Sequence, residues 1–211
     1  MKMLEPKYRR LTSPADPAFA ALLAIYTEAH PASERKPEGL LRAMIERPGY
    51  RFEVVLQGET IAGFGIVLDL PGTDASLLEY MAIAPEYRGH GLGTLLFRHL
   101  IPTPSRFLLA EVESDHVGSA DRELRARRKH FYRGPGCLEI DGLSYVMPPV
   151  STSMPPAMNL MVHHASLPRL IARERLRGWL EAIYREVYAV PLPDGRVDGM
   201  LAPLPEAVAL G

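Results

Sequence analysis

A glycine-rich segment between an apolar stretch and an amphipathic stretch constrains the fold of this 211-residue chain most strongly. Residues 77–83 form an apolar run typical of a buried strand, Pro85 opens a turn, and Arg88, Gly91 and Gly93 precede a helical pattern. Glycines before a helix N-terminus leave backbone N–H groups without acceptors, and the helix dipole adds positive potential there. The segment therefore predicts a loop that binds an anionic phosphate.

Two common phosphate-binding loops do not fit this segment. A Walker loop ends in Gly-Lys followed by Ser or Thr, whereas no Lys stands between Gly93 and Thr94. A Rossmann fingerprint needs Gly-x-Gly-x-x-Gly, whereas these glycines stand at 89, 91 and 93. What remains is Arg-x-x-Gly-x-Gly behind a strand that ends Met-Ala-Ile-Ala-Pro. The alternative is a solvated turn that uses glycine only for its geometry.

This combination resembles the pyrophosphate loop of the GCN5-related N-acetyltransferase (GNAT) superfamily, in an uncharacterised bacterial branch. The resemblance covers roughly residues 8–163. It implies an α/β (α+β) fold with a mixed, mostly antiparallel sheet of about seven strands, flanked by helices and followed by a C-terminal helical extension. We expect residues 1–165 to form the acyltransferase domain, with residues 166–211 as an amphipathic helix and tail packed on it.

Periodicity and turn residues predict the order of the elements. Strands are expected at residues 8–12, 50–57, 60–70, 77–83, 106–113, 137–147 and 158–163. Helices are expected at residues 18–29, 38–46, 121–132 and 167–190, in addition to the helix after the glycine loop. The strand at 106–113 follows a strand–helix unit, so it should lie parallel to the strand at 77–83. The tail from Pro191 should run over the surface.

Composition excludes several classes of function. The formal net charge is −1, so no global charge favours nucleic acid or a membrane surface. One cysteine, Cys137, excludes an intramolecular disulfide and suggests no cysteine metal site. No run approaches a signal peptide or a membrane span, so we expect a soluble cytoplasmic protein. The long last helix makes a homodimer plausible.

The resemblance also predicts the groups that bind acetyl-CoA as co-substrate. Strands at 77–83 and 107–113 would splay apart, so that backbone groups of the first pair with the pantetheine arm and the acyl carbonyl. The N–H groups of the loop would hold the pyrophosphate. The expected cofactor-binding residues are Met81, Ala82, Ile83, Arg88, Gly89, His90, Gly91, Leu92, Gly93 and Thr94.

Two residues are candidates for proton transfer. Glu79 stands in an apolar run and on the same strand face as Met81, which suits a general base; the alternative is a carboxylate at the rim of an amphipathic strand. The stretch Phe131-Tyr132-x-x-x-Gly136 resembles the family's helix ending whose Tyr hydroxyl approaches the CoA sulfur, which makes Tyr132 the general-acid candidate. The alternative is an aromatic pair that anchors the helix end.

Other charged residues are weaker candidates for the acceptor site. Glu111 and Glu113 share one strand face and could form an acidic pocket with Glu79, supply an alternative base through bound water, or face solvent. Glu34 and Arg35 lie in the loop where this family usually builds its acceptor pocket. No metal site is expected, because His163-His164 lacks a third ligand at suitable spacing. The family often has Asn and Ala where this chain has Arg125 and Arg128, which could instead contact a CoA phosphate.

The sequence thus predicts an acetyltransferase that moves an acetyl group from acetyl-CoA to a primary amine by direct attack in a ternary complex. The acceptor would be a small molecule or a peptide, and the residues do not identify it. Two alternatives stay open. One is an enzyme that uses a different acyl-CoA, and the other is a non-enzymatic CoA-binding sensor or interaction module.

Overall fold

The computed structural model describes residues 4–101, 103–115, 122–149, 157–166 and 168–211. Contacts divide the chain into two compact units. The first unit comprises Met1–Asp69 and Leu78–Ile101, and the second comprises Leu70–Leu77 and Pro102–Gly211. The domain boundary expected after residue 165 stays a prediction.

The first unit contains the elements up to the glycine loop and the helix after it. They are strand β1 (Lys7–Leu11), helix α1 (Ala18–Ala29), helix α2 (Glu38–Glu46), strands β2 (Tyr50–Gln57) and β3 (Thr60–Asp69), the larger part of strand β4 (Ala75–Ile83) and helix α3 (Leu92–Leu100). These bounds confirm the predicted elements to within two residues.

The second unit contains the remaining elements. They are the start of β4, strand β5 (Phe107–Glu113), helix α4 (Arg122–Arg133), strands β6 (Leu138–Glu139), β7 (Met158–His163) and β8 (Leu170–Ala172), helices α5 (Arg173–Tyr188) and α6 (Gly195–Leu201), and strand β9 (Ala207–Ala209). Residues 121 and 167, where two helices were predicted to begin, lie outside the described residues.

Seven strands, β1 to β7, belong to the main sheet, which confirms the predicted α/β class with a mostly antiparallel sheet. In the first unit the order is β1-β2-β3-β4, and β1 and β3 both pair antiparallel with β2. In the second unit the order is β5-β7-β6, and both pairs are antiparallel. The predicted parallel alignment of β4 and β5 stays a prediction.

The close packing of α3 on β3 depends on Gly65. A Cβ at this position would overlap the side chain of Leu100, at the end of α3. Arg51 on β2 donates to the carbonyl oxygen of Leu100 at 3.2 Å, which satisfies one of the unpaired carbonyls at the helix C-terminus. These contacts hold the C-terminal end of α3, and thereby fix the direction in which its N-terminus points.

The predicted strand at 137–147 is wrong in length, because β6 ends at Glu139. Gly142 adopts a left-handed φ of 77° in the turn that follows, which interrupts extended backbone. Glu139 exchanges backbone hydrogen bonds with Gly211, at 2.8 and 3.1 Å. The segment after β6 therefore pairs with the tail and does not continue the main sheet.

The helix predicted at 167–190 is shorter than expected, since residues Leu170–Ala172 form β8 and Leu170 is exposed. The apolar face of α5 is confirmed, because Leu176, Trp179, Leu180 and Ile183 are buried. The tail was predicted to lie on the surface, and this was wrong: β9 pairs with β8, and α6 contributes buried side chains. The buried tail residues are Val197, Met200, Leu201, Leu204, Val208 and Leu210.

Candidate functional site

The glycine loop has the backbone geometry that the sequence predicted. Gly89 and Gly91 adopt φ values of 80° and 79°, in the left-handed region that side-chain-bearing residues rarely adopt. Gly91 is the residue before α3, so the left-handed turn leads directly into the helix. A Cβ at either glycine would meet no atom within 4 Å, so the backbone angle and not the space requires glycine.

The loop presents unpaired backbone donors at the start of α3. The first hydrogen bond of the helix runs from the N–H of Leu95 to the carbonyl oxygen of Gly91, at 3.2 Å. The N–H groups of residues 92–94 therefore precede the first intrahelical acceptor. Within the part of the chain that the structure describes, no protein acceptor pairs with the N–H groups of residues 89–94. A cluster of unpaired donors at a helix N-terminus can bind an anion.

Arg88 and His90 shape the loop through backbone contacts. The Nε of Arg88 donates to the carbonyl oxygen of Ile83 at 2.8 Å, which connects the loop to the end of β4. The Nδ1 of His90 lies 2.7 Å from the carbonyl oxygen of Arg88, and His90 is exposed. Arg88 therefore supports the loop and also brings positive charge to it.

The strand residues expected to contact pantetheine lie at the end of β4. Ala82 and Ile83 are buried and Met81 is half-buried. The N–H of Ala84 donates to the carbonyl oxygen of Ala62 at 2.9 Å. The carbonyl oxygen of Ile83 already accepts from Arg88, so its capacity for a ligand is reduced to one lone pair.

Glu79 forms a buried ion pair with Lys36, which the sequence did not predict. The Nζ of Lys36 contacts the Oε1 of Glu79, and only 7% and 4% of the two side chains are exposed. The Oε2 of Glu79 is buried and has no hydrogen-bond partner among the residues that the structure describes. The carboxylate is thus paired on one oxygen only.

Two tyrosines fix the loop that carries Lys36, Glu34 and Arg35. The N–H of Lys36 donates to the hydroxyl of Tyr26 at 2.7 Å, and Tyr26 is buried. The hydroxyl of Tyr80 donates to the carbonyl oxygen of Glu34 at 3.0 Å. Arg35 donates to the carbonyl oxygen of Thr27 at 3.3 Å and is directed back to α1.

Tyr132 lies near the end of α4, in the second unit. Its ring meets that of Phe131 edge to face, with centroids 5.2 Å apart. Burial raises the pKa of the Tyr132 hydroxyl to about 12, with a further increase from Cys137 and a decrease from Arg128. The hydroxyl therefore keeps its proton near neutral pH, as a general acid must.

Glu111 accepts two phenolic hydrogen bonds. The hydroxyl of Tyr145 donates to its Oε1, and the hydroxyl of Tyr188, near the end of α5, donates to its Oε2 at 2.7 Å. Burial and the neighbouring Glu111 carboxylate raise the pKa of Tyr145 well above its ordinary value. Both carboxylate oxygens of Glu111 therefore have donors from the protein itself.

Glu113 is paired with arginines of α4. Arg128 contacts its Oε2, and Arg125 lies 3.5 Å from its Oε1. The Nε of Arg125 is buried and has no hydrogen-bond partner in the described ranges. The two arginines that were considered for a CoA phosphate thus contact Glu113.

A cleft, possible metal ligands and possible membrane spans were the other features considered among the described residues, and none adds a residue to the candidate site. A cleft of about 590 Å³ in the second unit contains none of the predicted site residues; it is lined by Gly72, Thr73, Asp74, Ser105, Arg106, Glu174, Arg175, Gly178 and Trp179. Among residues with described positions, no three His, Cys, Asp or Glu side chains are grouped as metal ligands. No helix in the described ranges is long and apolar enough to cross a membrane.

A family model for the GNAT acetyltransferase family matches residues 19–133, which is more than half of the chain. The chain therefore belongs to the GNAT acetyltransferase family. No curated protein sequence matches it significantly.

Solved structures share this fold. A GNAT-family protein from Bacteroides thetaiotaomicron has a TM-score of 0.73 and 22% identity, covering 88% of this chain and 99% of its own. YncA from Salmonella typhimurium, solved with acetyl-CoA, has a TM-score of 0.54 and 17% identity, covering 76% and 94%. Arabidopsis thaliana Naa50, in complex with the bisubstrate analogue CoA-Ac-MVNAL, has a TM-score of 0.55 and 12% identity, covering 76% and 99%.

Proposed function

We propose that this GNAT-family chain transfers an acetyl group from acetyl-CoA to a primary amine. The observation that carries the proposal is the set of N–H groups at residues 89–94 without a protein acceptor among the described residues, which includes two left-handed glycines and leads into α3. Such a cluster fits the diphosphate of CoA better than it fits a neutral ligand. The acetyl-CoA bound to YncA supports the same choice of donor.

Amine acetylation requires a proton acceptor and a proton donor in this protein. When bound, acetyl-CoA supplies the thioester carbonyl that the amine attacks. Glu79 takes the proton from the incoming ammonium, and Tyr132 gives its proton to the departing sulfur. The burial of Glu79 and the proton that the Tyr132 hydroxyl keeps at neutral pH support these roles.

The acceptor is proposed to be a small-molecule or peptide amine. Naa50 is solved with an analogue that contains the peptide MVNAL, so a free peptide N-terminus is one class to test. Glu34 and Arg35 are the proposed contacts for the acceptor, because they lie in the loop fixed against Tyr26 and Tyr80. Their proposed contribution to catalysis is smaller than that of Glu79.

A panel assay tests this function. Purified protein is incubated with acetyl-CoA and, separately, with the peptide Met-Val-Asn-Ala-Leu, a lysine peptide with a blocked N-terminus, spermidine and kanamycin. We expect a product heavier by one acetyl group from at least one amine, and release of free CoA in equal amount. Propionyl-CoA in a parallel series tests the choice of acyl group.

The buried pairing of Glu79 with Lys36 also favours a second candidate, a CoA-binding sensor that performs no transfer. In that case acetyl-CoA would bind, but none of the four amines would be acetylated. Calorimetric titration of acetyl-CoA, run beside the panel, separates the two functions.

A further inference from the structure

The ion pair of Glu79 leaves one carboxylate oxygen without a donor. Oε1 contacts the Nζ of Lys36, whereas Oε2 is buried and has no hydrogen-bond partner within the described part of the chain. An unpaired carboxylate oxygen in a buried site is costly, and native proteins rarely tolerate one. A donor from outside the chain would remove that cost.

The position of Lys36 is fixed independently of its ammonium group. Its N–H donates to the hydroxyl of Tyr26, and the Tyr26 ring packs edge to face against Tyr80 with centroids 4.9 Å apart. Tyr80 in turn donates to the loop at Glu34. The backbone is therefore held on two sides, and the ammonium reaches Glu79 from a rigid support.

We propose that Lys36 is a positioning residue: it binds Oε1 of Glu79, holds the carboxyl group in place and leaves Oε2 as the atom that accepts the acceptor's proton. This inference rests on the proposed function. The ammonium of the acceptor gives one proton to Oε2, and its nitrogen then bonds to the thioester carbon as the carbon–sulfur bond breaks. The sulfur takes the proton of Tyr132, and the acylated nitrogen gives its second surplus proton to the Tyr132 phenolate. The products are the neutral amide and free CoA, and Glu79 then releases its proton to solvent. Lys36 keeps its own protons throughout.

The pair also explains why the lysine is buried at all. A buried lysine is unfavourable unless it is paired, and a buried carboxylate is equally so. The contact between the two side chains therefore offsets part of the cost of burying each of them.

Lys36→Met, Lys36→Gln and Lys36→Arg test the proposal, with Lys7→Met as the control because Lys7 is exposed. Near-ultraviolet circular dichroism selects the variants that fold. Each is measured for acetyl-CoA affinity by calorimetry, and for kcat and KM with whichever amine of the panel the wild type acetylates fastest. Lys36→Gln keeps a donor in a smaller side chain, and so serves if the methionine variant does not fold.

We expect Lys36→Met or Lys36→Gln to lower kcat by roughly 100-fold or more, the scale of a general-base contribution. Acetyl-CoA affinity should stay within twofold, and Lys36→Arg should recover much of kcat by restoring the charge. A neutral variant with wild-type kcat, or one in which only KM rises, would overturn the role. Failure of the wild type to bind acetyl-CoA or to acetylate any amine would instead refute the proposed function.

Discussion

The hydroxyl of Tyr80 donates a hydrogen bond to the carbonyl oxygen of Glu34, at 3.0 Å. Tyr80 follows Glu79 in β4, and Glu34 stands two residues before Lys36. The bond therefore connects the strand that carries the proposed base to the loop that carries its ionic partner. The two residues of the ion pair, Lys36 and Glu79, are 43 positions apart in the sequence.

Removing this hydroxyl should loosen the connection. Tyr80→Phe is expected to lower the free energy of unfolding by at least about 1 kcal/mol, the usual net value of one hydrogen bond, because the hydroxyl also shares a hydrogen bond with that of Tyr26. Urea denaturation at neutral pH measures the change. Tyr87→Phe is the matched control, because no hydrogen bond of the Tyr87 hydroxyl is seen among the described residues. Equal effects of the two variants would show that the Tyr80 bond contributes nothing.

The loop should require glycine at position 91, because the backbone there adopts a left-handed φ angle. Gly91→Ala places a Cβ at a φ of 79°, which costs about 1–2 kcal/mol and distorts the donors at the start of α3. We expect weaker acetyl-CoA binding by calorimetry, together with a lower melting temperature. Gly39→Ala is the control, since Gly39 is exposed within α2 and has a helical backbone, so stability should stay the same or rise. Unchanged affinity in Gly91→Ala would contradict the account.

Glutamine variants separate the proposed base from its alternative. Glu79→Gln should lower kcat by roughly 100- to 10,000-fold, because an amide cannot accept the amine proton. Glu111→Gln should leave acetyl transfer unchanged, since both oxygens of Glu111 already bind tyrosine hydroxyls. It should instead cost about 1–3 kcal/mol of stability, because one phenol loses its acceptor. The reverse pattern in steady-state kinetics would assign the base to Glu111.

Cys137 should make stability depend on pH in alkali. Burial raises the pKa of its thiol from 9.0 to about 12. Above pH 9 the unfolded chain loses this proton while the folded chain keeps it, so stability is complete below pH 9 and falls as pH rises towards 12. When the two states differ by one bound proton, the free energy of unfolding changes by about 1.4 kcal/mol per pH unit.

Cys137→Ala removes that dependence. The difference in unfolding free energy between wild type and variant should shrink by about 1 kcal/mol from pH 9 to pH 10, measured by urea titration. Tyr132 and Tyr184 also have pKa values raised to about 12, but both residues are present in wild type and variant, so their direct contributions cancel in the difference. A constant difference between pH 8 and pH 10 would show that the thiol is not protected in the folded state.

The sequence predicted the first half of the fold closely, because turn residues and periodicity there agree. Helix α2 and strand β2 have the bounds that the pattern indicated. The backbone of the glycine loop was equally predictable, because it is determined by the spacing of the glycines and by the helical pattern that follows them. The tail was not predicted, because Val197, Met200 and Leu201 occupy a short helical face between glycines and prolines.

The electrostatic partners of the candidate site could not be obtained from the sequence. Lys36 stands beside Arg35 in a polar loop, and no local spacing marks one of the two as buried. Likewise, Tyr188 lies 77 positions from Glu111, so only the folded chain brings its hydroxyl to that carboxylate. Long-range pairing depends on tertiary packing, which residue patterns do not encode locally.

The most direct test of the account is a thermal-shift titration with acetyl-CoA, CoA and ATP in parallel. A ligand that binds only the folded state raises the melting temperature, by an amount equivalent to about 2.7 kcal/mol at 100 times its Kd. We predict a rise with acetyl-CoA and with CoA, and none with ATP. Folded protein that shows no shift with either CoA species would contradict the assignment of residues 89–94 as a pyrophosphate site, and with it the proposed acetyl transfer.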